Sequence, residues 1–480
     1  MHYVFFFPDE LRAKSLACYN NPVVKTPNFD RLAKEGVLFE NNYTTHPVCM
    51  ASRCSLMTGW YPHVQGFRTL RYELQSHHPN FMQYIHDAGY QVHLYGKNHV
   101  FSKEVYEKCI DYSTPPEFGH GAGSGRQSSS AELKKMLEVK DYTMLADALP
   151  DDQLEEINDT QCVNRAVEAI RNWKEGDKPL FIYLPTFYPH APYTITEEYH
   201  NMYDPDEVPP ILPRDLEGKP EFMQLIRHYR ELGDKDEAIF RKIHAVYLGM
   251  CSYSDMLLGR LLDALDDTGL ADSTTVIASS DHGDWAGDYG LVEKWPSAFD
   301  DDIAKVPLII RSPVCKAGHR VQELTQTFDI FPTICDLEDI EIKHDHFAHS
   351  LIEQLKGAAG DPNRKVYCEG GYDQREPHCF EGTPKFAVFM QEGTLYYPKM
   401  IQQQRNPESV CRGIMARDSH FKLVVRTSGD NELYDMISDP NELRNLYGME
   451  KYRNTINILK SDMLTWLIHT SDVVPWAEHI

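Results

Sequence analysis

Cys49 stands in the run Pro47-Val-Cys-Met-Ala-Ser-Arg-Cys-Ser-Leu-Met-Thr-Gly59. A small turn segment there leads into an apolar-periodic stretch, Cys54 to Met57, that stops at Gly59. This reads as a loop feeding a short helix, with Cys49 at or just before the helix N-terminus. Free N–H groups and the helix dipole favour negative charge at that position, so a nucleophile or an anion site belongs there. The same cysteine alone reads equally as a small buried hydrophobe, the commoner fate of the residue. Asp9-Glu10 and Asp281-His282 offer hard or borderline metal ligands in two pairs far apart in sequence, and carboxylate-rich sets suit Ca²⁺ or Mg²⁺. Taken singly, the first pair also reads as solvated loop carboxylates, and Asp281 as a helix N-cap. Lys97, His99, His190 and Lys294 each read as a solvated or structural side chain alone. Together they would form a cationic lining.

Charge makes that lining necessary. Lys plus Arg number 48 and Asp plus Glu 72, a formal net charge of −24 over 480 residues. Such a chain binds nucleic acid poorly and repels an anionic ester at long range. An anion site must therefore be made locally positive by a metal ion and by clustered Lys, Arg and His. The composition, 42% apolar and 25% charged, is that of an ordinary soluble protein. Eleven cysteines lie scattered from Cys18 to Cys411 without a CxxC pair, which indicates no disulfide framework and a reducing compartment. No apolar run reaches the roughly 18 residues that span a bilayer. The N-terminus enters an apolar strand at once, with no basic region or cleavage site, so no signal peptide is visible and a cytoplasmic location is expected. Neither nucleic acid nor membrane is an expected partner.

The elements that would position these residues are short, buried strands. Tyr3–Phe7, Gln91–Tyr95, Leu180–Leu184, Thr274–Ala278 and Val306–Ile310 are apolar, β-rich runs, and four of them end in polar residues of the kind described. Open α/β sheets place ligands at such carboxyl ends. Helical patterns alternate with them. Thr26 reads as an N-cap, Pro27 as the first helical residue and Gly36 as the stop. Tyr253–Leu265 has helical spacing, and 131–175 looks helical and polar. The alternation predicts an α/β fold with a large, mainly parallel sheet between helices. Residues 113–126 read as a long Gly, Pro and Ser-rich loop, and 194–240 as a surface excursion. After about Asn363 short strand-like runs alternate with turns and end in a helix near Tyr452–His469. This predicts a large domain over 1–363 and a small C-terminal α+β subdomain, built on an antiparallel sheet, over 364–480.

Cys49-x-Ala51-Ser52-Arg53 followed by Leu56-Met-Thr-Gly59 resembles the maturation signature of the sulfatases, formylglycine-dependent enzymes of the alkaline-phosphatase-like superfamily. The commoner form of that signature has Pro at the position of Ala51. Glu432-Leu-Tyr-Asp-Met-Ile-Ser-Asp-Pro-Asn-Glu-Leu-Arg-Asn-Leu446 resembles a run in the small C-terminal subdomain of the same family. The resemblance implies an alkaline-phosphatase-like fold and oxidation of Cys49 to formylglycine by a separate maturation enzyme. It also implies Asp9, Asp281, His282 and the modified Cys49 as metal positions, with Ca²⁺ the usual ion and Mg²⁺ second. Glu10 stands where the family often has a second Asp. Lys97 and His99 match a Gly-Lys-x-His element, His190 a further family histidine in Pro-His-Ala-Pro, and Lys294 the lysine that follows the metal pair.

The implied reaction is hydrolysis of a sulfuric ester. Cys49 as a geminal diol attacks sulfur, with Arg53 and the metal ion lowering the pKa of one hydroxyl. Lys97 and Lys294 bind the sulfate oxygens, His190 or Lys294 protonates the leaving alcohol, and His99 takes the proton from the second hydroxyl. Two other readings compete: a phosphonate monoester or phosphodiester hydrolase of the same superfamily, and a non-catalytic protein that binds sulfated ligands. The expected substrate is a sulfated saccharide first, an aryl or steroid sulfate second, read through loops 100–130, 194–240 and 365–405. The oligomeric state is left open by the sequence.

Overall fold

The computed structural model describes residues 1–114, 141–373, 375–376 and 392–473. Eight strands form the main sheet: β1 (His2–Phe6), β2 (Val37–Tyr43), β3 (Gln91–Leu94), β4 (Tyr112–Ser113), β5 (Leu180–Leu184), β6 (Thr274–Ser279), β7 (Leu308–Arg311) and β8 (His319–Gln326). Their order is β4-β3-β5-β1-β6-β7-β2-β8. Every pairing is parallel except those of β7, which runs against both β6 and β2. The mainly parallel sheet of the alkaline-phosphatase-like fold is thus present.

Burial on both faces explains why the central strands are continuous apolar runs rather than alternating ones. In β1 and the residue after it, Val4 and Phe6 point into one core, and Tyr3, Phe5 and Phe7 into the other. β5 divides likewise, with Leu180, Ile182 and Leu184 opposite Phe181 and Tyr183. Helices Pro27–Glu35, Asn158–Asn172 and the 31-residue Glu237–Asp267 cover the first face. Cys49–Thr58, Phe81–Asp87 and Ile330–Leu337 cover the second.

A separate antiparallel sheet follows, β9 (Val366–Gly370), β10 (Gly413–Arg417), β11 (Phe421–Arg426) and β12 (Glu432–Asp435), in the order β12-β11-β10-β9. Helix Arg453–Thr470 packs Ile456, Leu459, Met463 and Trp466 against it. Lys422 of β11 is fully buried, and its ammonium donates to Asp301 (2.8 Å) and pairs with Glu442 (2.8 Å), tying this sheet to the main body. Among the described residues no helix is long and apolar enough to cross a membrane, and each described cysteine is a free thiol.

Several local expectations change. Thr26 does not cap the helix it precedes; its Oγ1 accepts from the Ala17 amide instead. Asp255, on the long helix, accepts from the amides of Asn28 (2.9 Å) and Phe29 (2.8 Å) and so caps that N-terminus from across the core. The 194–240 stretch is more than a surface excursion. Tyr199, Tyr203, Phe222, Met223 and Ile226 are buried, and helix Glu221–Tyr229 packs into the main core. Asp204, Glu207, Pro210, Asp215 and Glu217 stay exposed around these anchors, while Arg230 is buried with them. Most of the 113–126 loop and the start of the 131–175 region lie outside the described residues; within the latter, Asn158–Asn172 is the helix.

Where β3 ends, the chain turns sharply at Gly96, whose φ is +131° and whose missing Cβ would sit 2.3 Å from the Pro185 carbonyl oxygen. Only glycine fits that approach. The next amide, of Lys97, donates to the same carbonyl (2.7 Å). Gly96→Ala is therefore expected to cost about 1–3 kcal/mol of stability and to displace Lys97. Chemical denaturation of the variant beside the wild type checks the first effect.

Candidate active site

Four adjacent parallel strands, β3-β5-β1-β6, deliver their carboxyl ends to one edge of the sheet. Lys97 follows β3, His190 follows β5, Asp9 and Glu10 follow β1, and Asp281 and His282 follow β6. Helix Cys49–Thr58 points its N-terminus at the same edge, with Cys49 its first residue. Arg53 lies one turn further on the same face, because residues four apart on a helix are stacked.

Arg53 organises the cluster. Its guanidinium donates from Nε to Asp281 Oδ2 (2.9 Å), from Nη2 to Asp9 Oδ2 (2.7 Å) and from Nη1 to the Lys97 carbonyl (3.1 Å). Lys97 Nζ donates to the same Asp9 oxygen (2.8 Å). The outer oxygens of both carboxylates are thereby engaged, and the inner ones turn toward Cys49. Sγ lies 3.6 Å from Asp9 Oδ1, 3.1 Å from His282 Nε2 and 4.0 Å from Lys97 Nζ. All these side chains are buried. Burial alone would raise the pKa of Asp9, but Lys97 and Arg53 outweigh it and hold the carboxyl well below its usual range. Burial, with Asp9 adding to it, pushes the Cys49 thiol up to about 11, so the unmodified side chain is a protonated thiol.

A second cluster adjoins the first. Lys294 Nζ bonds Glu10 Oε1 and lies 2.9 Å from His190 Nε2. Burial would lower the pKa of Lys294, but Glu10 keeps it raised, so the ammonium stays charged. His190 is held well below its ordinary pKa, first by burial and then by Lys294 and Lys97. The neutral ring donates from Nδ1 to the Ala191 carbonyl (2.5 Å), which leaves Nε2 as acceptor toward Lys294. His99 is buried two residues beyond Lys97 in the same segment.

The structure thus gathers Cys49, Arg53, Lys97, His190, Lys294, Asp9, Glu10, Asp281 and His282 around one point, with His99 beside them in sequence. Sequence reasoning did not single out Asp284, Glu293, Arg230 or Lys399. Glu293 accepts from Arg230 Nη2 (2.5 Å) and Lys399 Nζ (3.0 Å), both from segments that carry no motif.

The family model of the sulfatases matches residues 1–340. The chain belongs to the sulfatase family. It is similar to the uncharacterized sulfatase YidJ of Escherichia coli K12, 27% identical over 93% of this chain and 82% of that protein. It is also similar to the N-acetylglucosamine-6-O-sulfatase of Bacteroides thetaiotaomicron, 24% identical over 94% of this chain and 83% of that one. In fold it is similar to the phosphonate monoester hydrolase of Silicibacter pomeroyi, with a TM-score of 0.75, 23% identity, and coverage of 98% and 95% of the two chains. Membership makes the chain a sulfuric ester hydrolase by class.

The family implies a divalent cation, and the residues present fit one. Asp9, Cys49, Asp281 and His282 each offer a donor atom, and all four donors lie within 4.8 Å of one another. His282 Nδ1 sits 2.9 Å from the Gly283 carbonyl, so it carries the proton and Nε2 presents its lone pair to the centre. A backbone carbonyl orienting the imidazole in this way is the usual support of a metal-bound histidine. Asp9, Glu10 and His190 form a second group of three donors sharing Asp9, but Glu10 and His190 are both engaged by Lys294. Saturating Ca²⁺ or Mn²⁺ is accordingly expected to raise the melting temperature in proportion to the logarithm of its concentration. Asp281→Asn should remove most of that shift. Differential scanning fluorimetry after EDTA treatment reads both.

Proposed function

We propose that the chain removes sulfate from an organic sulfate ester through an oxidised Cys49, with a divalent cation at Asp9, Asp281 and His282. What carries this reading is the position of Cys49 Sγ, at a helix N-terminus and 3.1 Å from His282 and 3.6 Å from Asp9, beside two buried lysines. A maturation enzyme converts Cys49 to formylglycine, and the hydrate carries two hydroxyls where the thiol now stands. Sγ therefore stands in for the attacking oxygen.

The cation, with Ca²⁺ the first expectation, supplies charge that favours ionisation of one hydroxyl and neutralises sulfate oxygens. An imidazole among the donors also suits Mn²⁺ or Zn²⁺, and elemental analysis of the purified protein separates them. Arg53 holds both carboxylates so that their inner oxygens face the hydroxyl. Lys97 and Lys294 bind sulfate oxygens and stabilise developing charge. The attacking hydroxyl gives its proton to the inner oxygen of Asp9, which lies 3.6 Å from Sγ. Its oxygen bonds to sulfur in line, the ester S–O bond breaks, and the leaving alcohol takes its proton from Lys294, which His190 orients. His99 then takes the proton of the second hydroxyl. The C–O bond to sulfate breaks, sulfate departs and the aldehyde returns. A serine at position 49 would form a sulfated ester with no such exit.

Sulfated saccharides are the first substrate class proposed, in keeping with the named activity of the Bacteroides relative, and aryl sulfates the second. The fold neighbour that is a phosphonate monoester hydrolase keeps a second reading in view. In enzyme turning over 4-nitrophenyl sulfate, mass spectrometry of the peptide containing position 49 should find the sulfur lost, and Cys49→Ser should fall by about 10²-fold or more. Sulfur retained in active enzyme refutes the route. Faster turnover of a phenylphosphonate ester than of the sulfate would favour the second reading.

A further inference from the structure

Lys294 must hold its ammonium at a fixed place relative to a cation loop thirteen residues earlier in the chain, and its own segment offers no regular element to do so. Between the helical turn Asp288–Gly290 and Asp301–Ala304 there is neither helix nor strand. The backbone at the preceding residue is also unfavourable: Glu293 has φ +62°, a left-handed conformation that a residue with a Cβ adopts only when its surroundings hold it there.

The surroundings converge on one oxygen and one hydroxyl. Asp284 Oδ1 accepts from the amide of Ala286 (2.6 Å), from the amide of Glu293 (3.1 Å) and from the hydroxyl of Tyr193 (2.7 Å). The Tyr193 hydroxyl accepts in turn from the Glu293 amide (2.9 Å). The Trp285 amide donates to the Glu293 carbonyl (3.2 Å) and closes the loop. Tyr193 and Asp284 are fully buried, and Glu293 is nearly so. Tyr193 is itself fixed at the backbone, its amide donating to Met144 (2.8 Å) and its carbonyl accepting from Ala146 (3.2 Å). Its hydroxyl therefore touches the segment that carries Lys294 and the one that carries Asp281 and His282, while its own chain carries His190 three residues before.

We infer that Tyr193 is a positioning residue, whose hydroxyl ties the Glu293–Lys294 backbone to the Asp281–Asp284 loop and so sets where Lys294 meets the leaving oxygen. This rests on the proposed role of Lys294 as proton donor. It predicts that loss of the hydroxyl harms proton delivery more than binding, because a displaced ammonium matters most when the departing alcohol cannot leave without a proton.

Tyr193→Phe removes one oxygen and keeps the ring. With matured enzyme, kcat on phenyl sulfate, a poor leaving group, should fall about tenfold or more. On 4-nitrophenyl sulfate, whose phenolate leaves unaided, it should fall by less than about threefold, with KM little changed in both. Equal losses on the two esters, or none, would overturn the inference. Hydrogen exchange read by mass spectrometry supplies a measure that needs no turnover. Peptides covering 284–294 should exchange faster in the variant while the core strands keep their protection. Unchanged protection there overturns the inference even in a protein that hydrolyses neither ester. Matured wild-type protein inactive on both esters and on a panel of sulfated saccharides, with the exchange difference present, would instead remove the sulfatase reading and leave the tie in place.

Discussion

Two carboxylates buried side by side and paired with one guanidinium are the constraint from which the rest of this site follows. Asp9 and Asp281 leave strands adjacent in space and hundreds of residues apart in sequence, and neither is exposed. Taking an ion out of water costs several kcal/mol even after relaxation, so the pair survives only with a counter-charge of fitting shape. Arg53 meets both outer oxygens with one planar group, which a lysine point charge could not do. Lys97 adds a second cation to Asp9. The other oxygen of Asp9, which neither cation engages, faces Cys49 Sγ at 3.6 Å, and that of Asp281 accepts from the amides of Glu10 and His282. The same interactions that make the carboxylates tolerable therefore aim them.

Helix geometry then removes a degree of freedom. Cys49 and Arg53 share one face of one helix, one turn apart. Fixing the guanidinium on the two strand ends fixes the place of residue 49 as well. The reacting position and its electrostatic frame are thus a single rigid unit. The overall charge of −24 has little say in it. Screening at physiological salt acts over about 8 Å, and within that distance Arg53, Lys97 and Lys294 set the field felt by a bound sulfate.

This unit was legible in the sequence because each part of it is local. A buried strand is a short apolar run, and Asp9, Lys97 and Asp281 follow such runs directly. Cys49 and Arg53 are read from a spacing of four. What was illegible depends on pairing across the fold. β2 carries Glu40-Asn41-Asn42 in its middle and β8 is an edge strand with mostly polar residues, so neither shows an apolar run. The N-cap of helix Pro27–Glu35 is Asp255, more than two hundred residues away, and no local pattern could point there. The 194–240 stretch misled for a related reason: its few apolar anchors are diluted among charges, although Phe222, Met223 and Ile226 bury fully.

The residues around Lys294 extend the argument to specificity. Glu293, its neighbour, is held by Arg230 at the end of helix Glu221–Tyr229 and by Lys399 in helix Tyr397–Arg405. Both helices belong to the stretches in which the sequence placed recognition of the alcohol. A buried carboxylate shared by two cations from different segments transmits a shift of either to its backbone, because none of the three charges can be left unpaired without large cost. The parts of the chain that differ most from any motif are thereby coupled to the group assigned to protonate the leaving oxygen. Changes in those helices would then act on kcat as well as on KM, which is how binding energy from remote parts of a substrate comes to be expressed in the transition state.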